Sequence, residues 1–229
     1  MNTSVHKKES LAERVANHLS DKIIRNEMQP DERIQEMRLV ELLKVSRSSV
    51  REALLILERR HLVTISPNKG ASVASLTDHD IRSIHEIYGA LITHLAVDVT
   101  QKWKYEDLEP LFEYFNTLLN PELEKNIIGH VIDTGFDIVH LGCAISGNAY
   151  LKEMLDNLRF ALYRTYYLAI NHNRDEICHI ITFYERILQA AKERDVDEDR
   201  LRMGELSMMV MEMALKGARN HRQAEQRSD

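Results

Sequence analysis

The segment LLKVSRSSVREALLILERR, residues 42–60, constrains the fold of this 229-residue chain more than any other part of it. Ser46, Ser48 and Ser49 crowd one point, where serine favours a turn and a helix start over a helix interior. Behind them Val50, Ala53, Leu54 and Leu57 form one apolar helical face, while Arg47, Ser48, Arg51 and Leu55 fall on the other. The segment therefore reads as helix, tight turn and helix. Upstream, Leu11, Val15, Leu19 and Ile23 keep helical spacing until the chain breaks at Gln29-Pro30-Asp31. A short helix is expected across residues 36–44. Downstream, the runs LVTIS and ASVAS flank Pro67-Asn68-Lys69-Gly70, the pattern of a hairpin with a turn at its tip.

From about Leu76 the texture changes. Thr77 is a good N-cap, with Asp78 and Asp80 in the first turn, and Ile81, Ile84, Tyr88, Leu91 and Leu95 form a stripe behind it. Further helices are expected at roughly 105–119, 122–145, 149–171, 175–193 and 197–219, punctuated by Pro121 and Ser146-Gly147-Asn148. Segment 149–171 is apolar on two faces, with Leu151, Leu155, Leu158 and Leu162 on one and Phe160, Tyr163 and Tyr167 on another. Such a helix sits centrally in a bundle or is shared with a partner subunit. Only 8 glycines and 4 prolines occur, which argues against an all-β or low-complexity chain.

The formal charge of −6 is an average over two unlike parts. Residues 1–75 carry 13 Lys/Arg against 10 Asp/Glu, a net of +3, and the remainder carries 17 against 26, a net of −9. That asymmetry points to a polyanion partner for the first part. Arg47 and Arg51 lie four apart and project from one helix face, each able to grip guanine or phosphate with two donors. The hydroxyls of Ser46, Ser48 and Ser49 and the free N–H groups of the helix start suit phosphate contacts. Lys69-Gly70 at the hairpin tip suits the minor groove, glycine permitting the bend and lysine supplying charge. An isolated arginine pair is mostly a solvated surface charge; the motif and hairpin around this one favour DNA.

Residues 11–75 resemble the winged helix-turn-helix domain of the GntR family of bacterial transcription regulators, through the Pro30-Asp31 turn, VSRSSVREALLILERRHLV and SPNKGASV. The resemblance implies that the stretch from Arg47 to Arg51 enters the major groove and that Lys69-Gly70 makes the wing contact. Asp31 stands where relatives have a turn glycine, Ser49 where proline is frequent, and His61 where a glycine precedes leucine. Met37 stands where relatives often place a DNA-contacting arginine, with Arg38 beside it as a substitute.

The helical region over residues 80–220 resembles the FCD ligand-binding domain of the FadR-type subgroup, anchored on SGNAYL and FYERILQAAKERD. The resemblance implies an antiparallel all-helical bundle that binds a small-molecule effector and supports a homodimer. The implied fold class is mainly α: a winged helix-turn-helix over residues 1–76, the bundle over 77–222 and a polar tail at 223–229. Many FCD domains hold a divalent metal on one aspartate and three histidines. Here Tyr184 and Leu206 fall at histidine places, and Asp137 or Val139 at the upstream one, with His140 close by. One histidine is a poor ligand set, so no metal or other cofactor is expected, the alternative being a metal-dependent sensor with a displaced site near His140 and Asp137. His94, Asp137, His140, Arg159, Tyr163 and Tyr184 are the effector-binding candidates, arginine and tyrosine hydroxyls holding an organic acid without metal. Against that stand plainer roles: Tyr88 and Tyr163 as core, Arg159 or Arg164 paired with acids, His140 as packing, and Met203, Met208, Met209, Met211 and Met213 as adaptable packing.

The expected function is a dimeric DNA-binding transcription regulator whose grip on a pseudo-palindromic, double-stranded operator responds to the effector. Repression relieved by a small carboxylate is the expected mode. The competing class is an all-helical enzyme on a DNA-binding tether, with Asp133, Asp137 and His140 as a metal or acid–base cluster. The chain has no nucleophile motif, phosphate loop or repeated HxxxH or ExxH spacing, which argues against an enzyme. The start MNTSVHKKES lacks the apolar stretch of a signal peptide and no run approaches membrane-spanning length, so a cytoplasmic protein without membrane contact is expected. Cys143 and Cys178 lack CxxC spacing and read as reduced thiols.

Overall fold

A computed structural model describes residues 10–118, 127–172 and 177–226. The chain divides into two compact units, Met1–Ser75 and Leu76–Asp229. The first comprises α1 (Leu11–Ile24), β1 (Arg33–Ile34), α2 (Glu36–Leu43), α3 (Arg47–Arg59), β2 (Val63–Ser66) and β3 (Gly70–Val73). Ser10 caps α1 in a reciprocal box with Glu13, at 3.1 and 2.7 Å. The core gathers Val15, Leu19 and Ile23 of α1 with Val50, Ala53, Leu54 and Leu57 of α3. Leu11 departs from the expected stripe: it is 46 % exposed, and Ala12 and Ala16 take the buried positions.

The expected hairpin is present but belongs to a three-stranded antiparallel sheet in the order β1-β3-β2. Arg33 and Ile34 pair with Ser72 and Ala71 on the free edge of β3. Two residues are too short to show a period of two, which is why the sequence pattern missed this strand. Left-handed residues shape the turns of the unit. Asp31 (φ 63°) and His61 (φ 56°) stand at the two places where the resemblance led one to expect glycine, and Lys44 (φ 52°) ends α2. Aspartate and histidine tolerate this region better than most residues, though less well than glycine.

The second unit holds α4 (Asp78–Lys102), α5 (Tyr105–Leu118), α6 (Ile127–Ser146), α7 (Ala149–His172), α8 (Ile177–Glu193) and α9 (Val196–Gln226). Thr77 caps α4, its hydroxyl accepting from the Asp80 N–H at 3.1 Å. The buried face of α4 is Ile81, His85, Tyr88, Ile92, Leu95 and Thr100, while Ile84 and Leu91 of the expected stripe are only half-buried. Helix α7 packs on α4, α6 and α9, with Leu151, Leu155, Leu162 and Leu168 buried and Phe160, Tyr163 and Tyr167 half-buried. Asp78 at the start of α4 accepts from Arg219 Nε at 2.8 Å and from Arg222, both on α9.

Helix α9 continues through Gln226, so residues 223–226 of the expected polar tail are helical. Residues 227–229, Pro121, and the expected helix starts at 122–126 and 175–176 lie outside the described residues, as does the side chain of Cys178. Among the described residues no helix is long and apolar enough to cross a membrane.

Candidate nucleic-acid interface and internal cavity

Ser46 caps α3, its hydroxyl accepting from the Ser49 N–H at 3.1 Å. The Ser48 and Ser49 hydroxyls each lie 2.8 Å from the same Ser46 oxygen. All three serines thus share one hydrogen-bonded knot at the positive end of the helix. Arg47 and Arg51 leave that turn on the solvent face of α3, each side chain 60 % exposed. Glu36 of α2 sits between them. Its Oε2 accepts from Arg51 Nε at 3.1 Å and lies 3.5 Å from Arg47 Nε. Arg38 is exposed on α2. At the tip of the hairpin the Lys69 N–H donates to the Ser66 carbonyl at 3.2 Å, and exposed Gly70 has φ +83°. That angle favours glycine.

Every residue expected to touch DNA is therefore at the surface or helix start of the first unit. Glu36 was missed by sequence reasoning. It precedes the arginines by 11 and 15 residues, a separation that becomes contact only when α2 packs on α3.

The second unit holds a partly open cavity of about 150 Å³ between α4, α6, α7, α8 and α9. Its walls are mainly aliphatic, with Phe136 and the half-buried to buried tyrosines Tyr88, Tyr166 and Tyr184. Phe136 stacks with Tyr163 and Tyr166, both at 5.9 Å between ring centres. Three buried polar contacts border this space. The Thr165 hydroxyl donates to the Leu162 carbonyl at 2.8 Å, so it accepts from His85 Nε2–H at 2.9 Å. That fixes the Nε2–H tautomer and leaves Nδ1 as an acceptor. Burial lowers the His85 pKa to about 4, so the ring is neutral near pH 7. The Thr100 hydroxyl donates to Asp199 Oδ2 at 2.6 Å. Asp199 is 1 % exposed, and its Oδ1 has no hydrogen-bond partner among the described residues. Burial raises its pKa, against the lowering effect of the Thr100 bond.

Of the six effector candidates, only Tyr184 lines the cavity, its pKa pushed up to about 12 by burial. Asp137 and His140 are exposed because the inward face of α6 is Ile132, Phe136 and Cys143. Arg159 is also exposed, its guanidinium 5.1 Å above the Phe136 ring. Tyr163 donates to Asp133 Oδ1 at 3.2 Å. His94 is exposed and borders a more open groove of about 520 Å³ between α4 and α9, with Met208 and Met211. Among the described residues no group of three His, Cys, Asp or Glu side chains is placed to hold a metal ion. His85 and Asp199 were missed. His85 carried a signal, since it lies four residues from Ile81 and three from Tyr88, but Asp199 reads like any acid in a helix's first turn.

Comparison with known proteins gives these features a context. Residues 11–73 match the family described as bacterial regulatory proteins of the gntR family. The chain is 27 % identical over 190 residues, 78 % of this chain and 80 % of the other, to the uncharacterized HTH-type transcriptional regulator YdhC of Bacillus subtilis strain 168. Its fold is similar to that of E. coli McbR/YncC, with a TM-score of 0.74 at 23 % identity over 90 % of this chain and 98 % of that one. A GntR-type regulator structure from Rhodococcus sp. RHA1 gives a TM-score of 0.64 at 20 % identity, over 90 % and 95 % of the two chains. Residues 11–73 thus carry a domain of the gntR family of bacterial regulatory proteins, in a chain similar along most of its length to an HTH-type transcriptional regulator.

Proposed function

We propose that the chain is an effector-responsive repressor of the FadR-type subgroup, working as a cytoplasmic homodimer on a pseudo-palindromic operator. Arg47 and Arg51 read base edges in the major groove, with Ser46, Ser48, Ser49 and Arg38 on phosphates and Lys69-Gly70 in the minor groove. The helical unit, FCD-like in its helix content, takes a small molecule between its helices. The observation that carries the reading is the apolar cavity bordered by buried polar groups, in a chain whose proposed DNA-reading groups all lie in the other unit.

A ligand that favours one of two states of the protein shifts operator affinity by its differential affinity for those states. Selection of duplexes from a random pool by the purified full-length chain tests the first half of the proposal. An inverted repeat with half-sites about one helical turn apart is expected for a dimer, and a single half-site would refute it. A small-molecule screen by thermal shift, followed by fluorescence anisotropy on the selected duplex, tests the second half. Release of DNA by a stabilising compound is expected; stabilisation without any change in DNA affinity would refute the coupling.

A further inference from the structure

We infer that the bundle cavity takes an uncharged, single-ring apolar molecule bearing one O–H or N–H donor, which it offers to the open Oδ1 of Asp199. The inference rests on the reading of this cavity as the effector site, and it names the ligand class. Size comes first. A protein cavity of about this volume with an apolar lining stays dry and takes up one benzene-sized molecule. Chemistry comes second. No lysine or arginine is among the described residues that line the cavity. An anion entering it would lose its water without gaining a cation, beside a buried carboxyl group.

The donor requirement follows from Asp199. One carboxyl oxygen of this cavity-lining residue is satisfied by Thr100 at 2.6 Å, and the other is buried and has no partner among the described residues. A buried acceptor left unpaired is costly, and a donor on the ligand removes that cost. The neighbouring polar groups do not supply it: His85 has its only N–H on Thr165. The tyrosines Tyr88, Tyr166 and Tyr184 stay neutral, since burial raises the pKa of each. A mainly apolar lining with neutral tyrosines and imidazole and no cation among its described residues therefore suits a neutral ring.

Four single-ring probes separate the possibilities: p-cresol (neutral, one donor), toluene (neutral, no donor), benzoate (anion) and benzylamine (cation). Calorimetric titration of the full-length protein at pH 7 is expected to show p-cresol binding once per chain, about three- to tenfold tighter than toluene, the scale of one hydrogen bond. Benzoate and benzylamine are expected at least about tenfold weaker than p-cresol, a charge being costly to desolvate. In Asp199→Leu the advantage of p-cresol over toluene disappears, while retained toluene binding shows that the variant is folded. Ala96→Phe on α4 and Val131→Phe on α6 fill the cavity from two sides, and whichever folds by circular dichroism abolishes binding. Tightest binding by benzoate or benzylamine, lost in the filled variant, would overturn the ligand class and leave the effector site standing. Binding that survives filling would remove the cavity as the site, and absence of saturable binding by all four would overturn the inference. Binding of p-cresol with the expected Asp199 dependence, but without change in DNA affinity, would leave the ligand class intact and refute the effector reading.

Discussion

The two units keep their polar chemistry in opposite places. The first exposes it: Arg47, Arg51, Arg38 and Lys69 meet water, and the helix start is ringed by hydroxyls. The second encloses it: His85, Thr165, Thr100 and Asp199 are all at least about nine-tenths buried. Exposed guanidiniums are weakly held by the protein and so available to a large, charged partner. Buried polar groups are held strongly and discriminate among small molecules by what they leave unpaired. The difference between surface and interior is thus also a difference in the kind of partner each unit can recognise.

The sharpest way to break the comparison is acid. His85 is held neutral when folded, with its pKa lowered to about 4 from the ordinary 6.5. Between those values the unfolded chain binds the extra proton, so stability is full above pH 6.5 and falls as pH drops towards 4. The loss reaches roughly 3 kcal/mol by pH 4, with Asp199 working in the opposite sense through its raised pKa. Urea unfolding of the wild type and His85→Gln at pH 7 and pH 4.5 measures it: the variant should lose less stability on acidification. An equal acid loss in both proteins would mean that His85 is not a buried neutral ring.

Next comes the exposed side. Arg51→Ala should weaken operator binding by about 1–3 kcal/mol if it reads a base edge, with ligand binding in the other unit unchanged. Unaltered DNA affinity would take Arg51 off the contact surface. Glu36→Gln sharpens the same point, because the carboxylate competes with DNA for both guanidiniums. Anisotropy should show affinity for all duplexes rising by about 1 kcal/mol, the order of an exposed ion pair, and discrimination narrowing. Lys69→Ala should lower affinity across sequences and reduce the slope of log K against log salt by about 1, the signature of one lost phosphate contact. The smallest effect belongs to backbone strain. His61→Gly relieves a left-handed conformation at φ 56°, and should raise stability by about 0.5–1 kcal/mol in thermal unfolding.

Much of the first unit was legible in the sequence because its information is local. The four apolar residues of α3 are the four that are buried, and the arginines and Leu55 lie on the opposite, exposed face. The serine cluster marked the helix start, and Pro67 to Gly70 marked the turn. The third strand was not legible, since two residues carry no period and gain their identity only from pairing with β3. In the second unit the helices were legible and the cavity was not. The candidates chosen for their chemistry, Asp137, His140 and Arg159, are exposed, whereas His85 and Asp199 sit at the cavity wall.

Periodicity and turn chemistry alone determined that this chain is mostly helical, with a helix-turn-helix and hairpin before a bundle, and the charge count placed its net positive part first. These follow from interactions across three or four residues, which the order of residues specifies directly. Tertiary structure alone decided that Glu36 braces both arginines, that Thr100 meets Asp199 from 99 residues away, and that five helices leave a mainly apolar space between them. Such contacts join distant elements whose relative rotation depends on all the packing at once. A polar residue in a helix therefore gives no local sign of whether it will face water or the cavity.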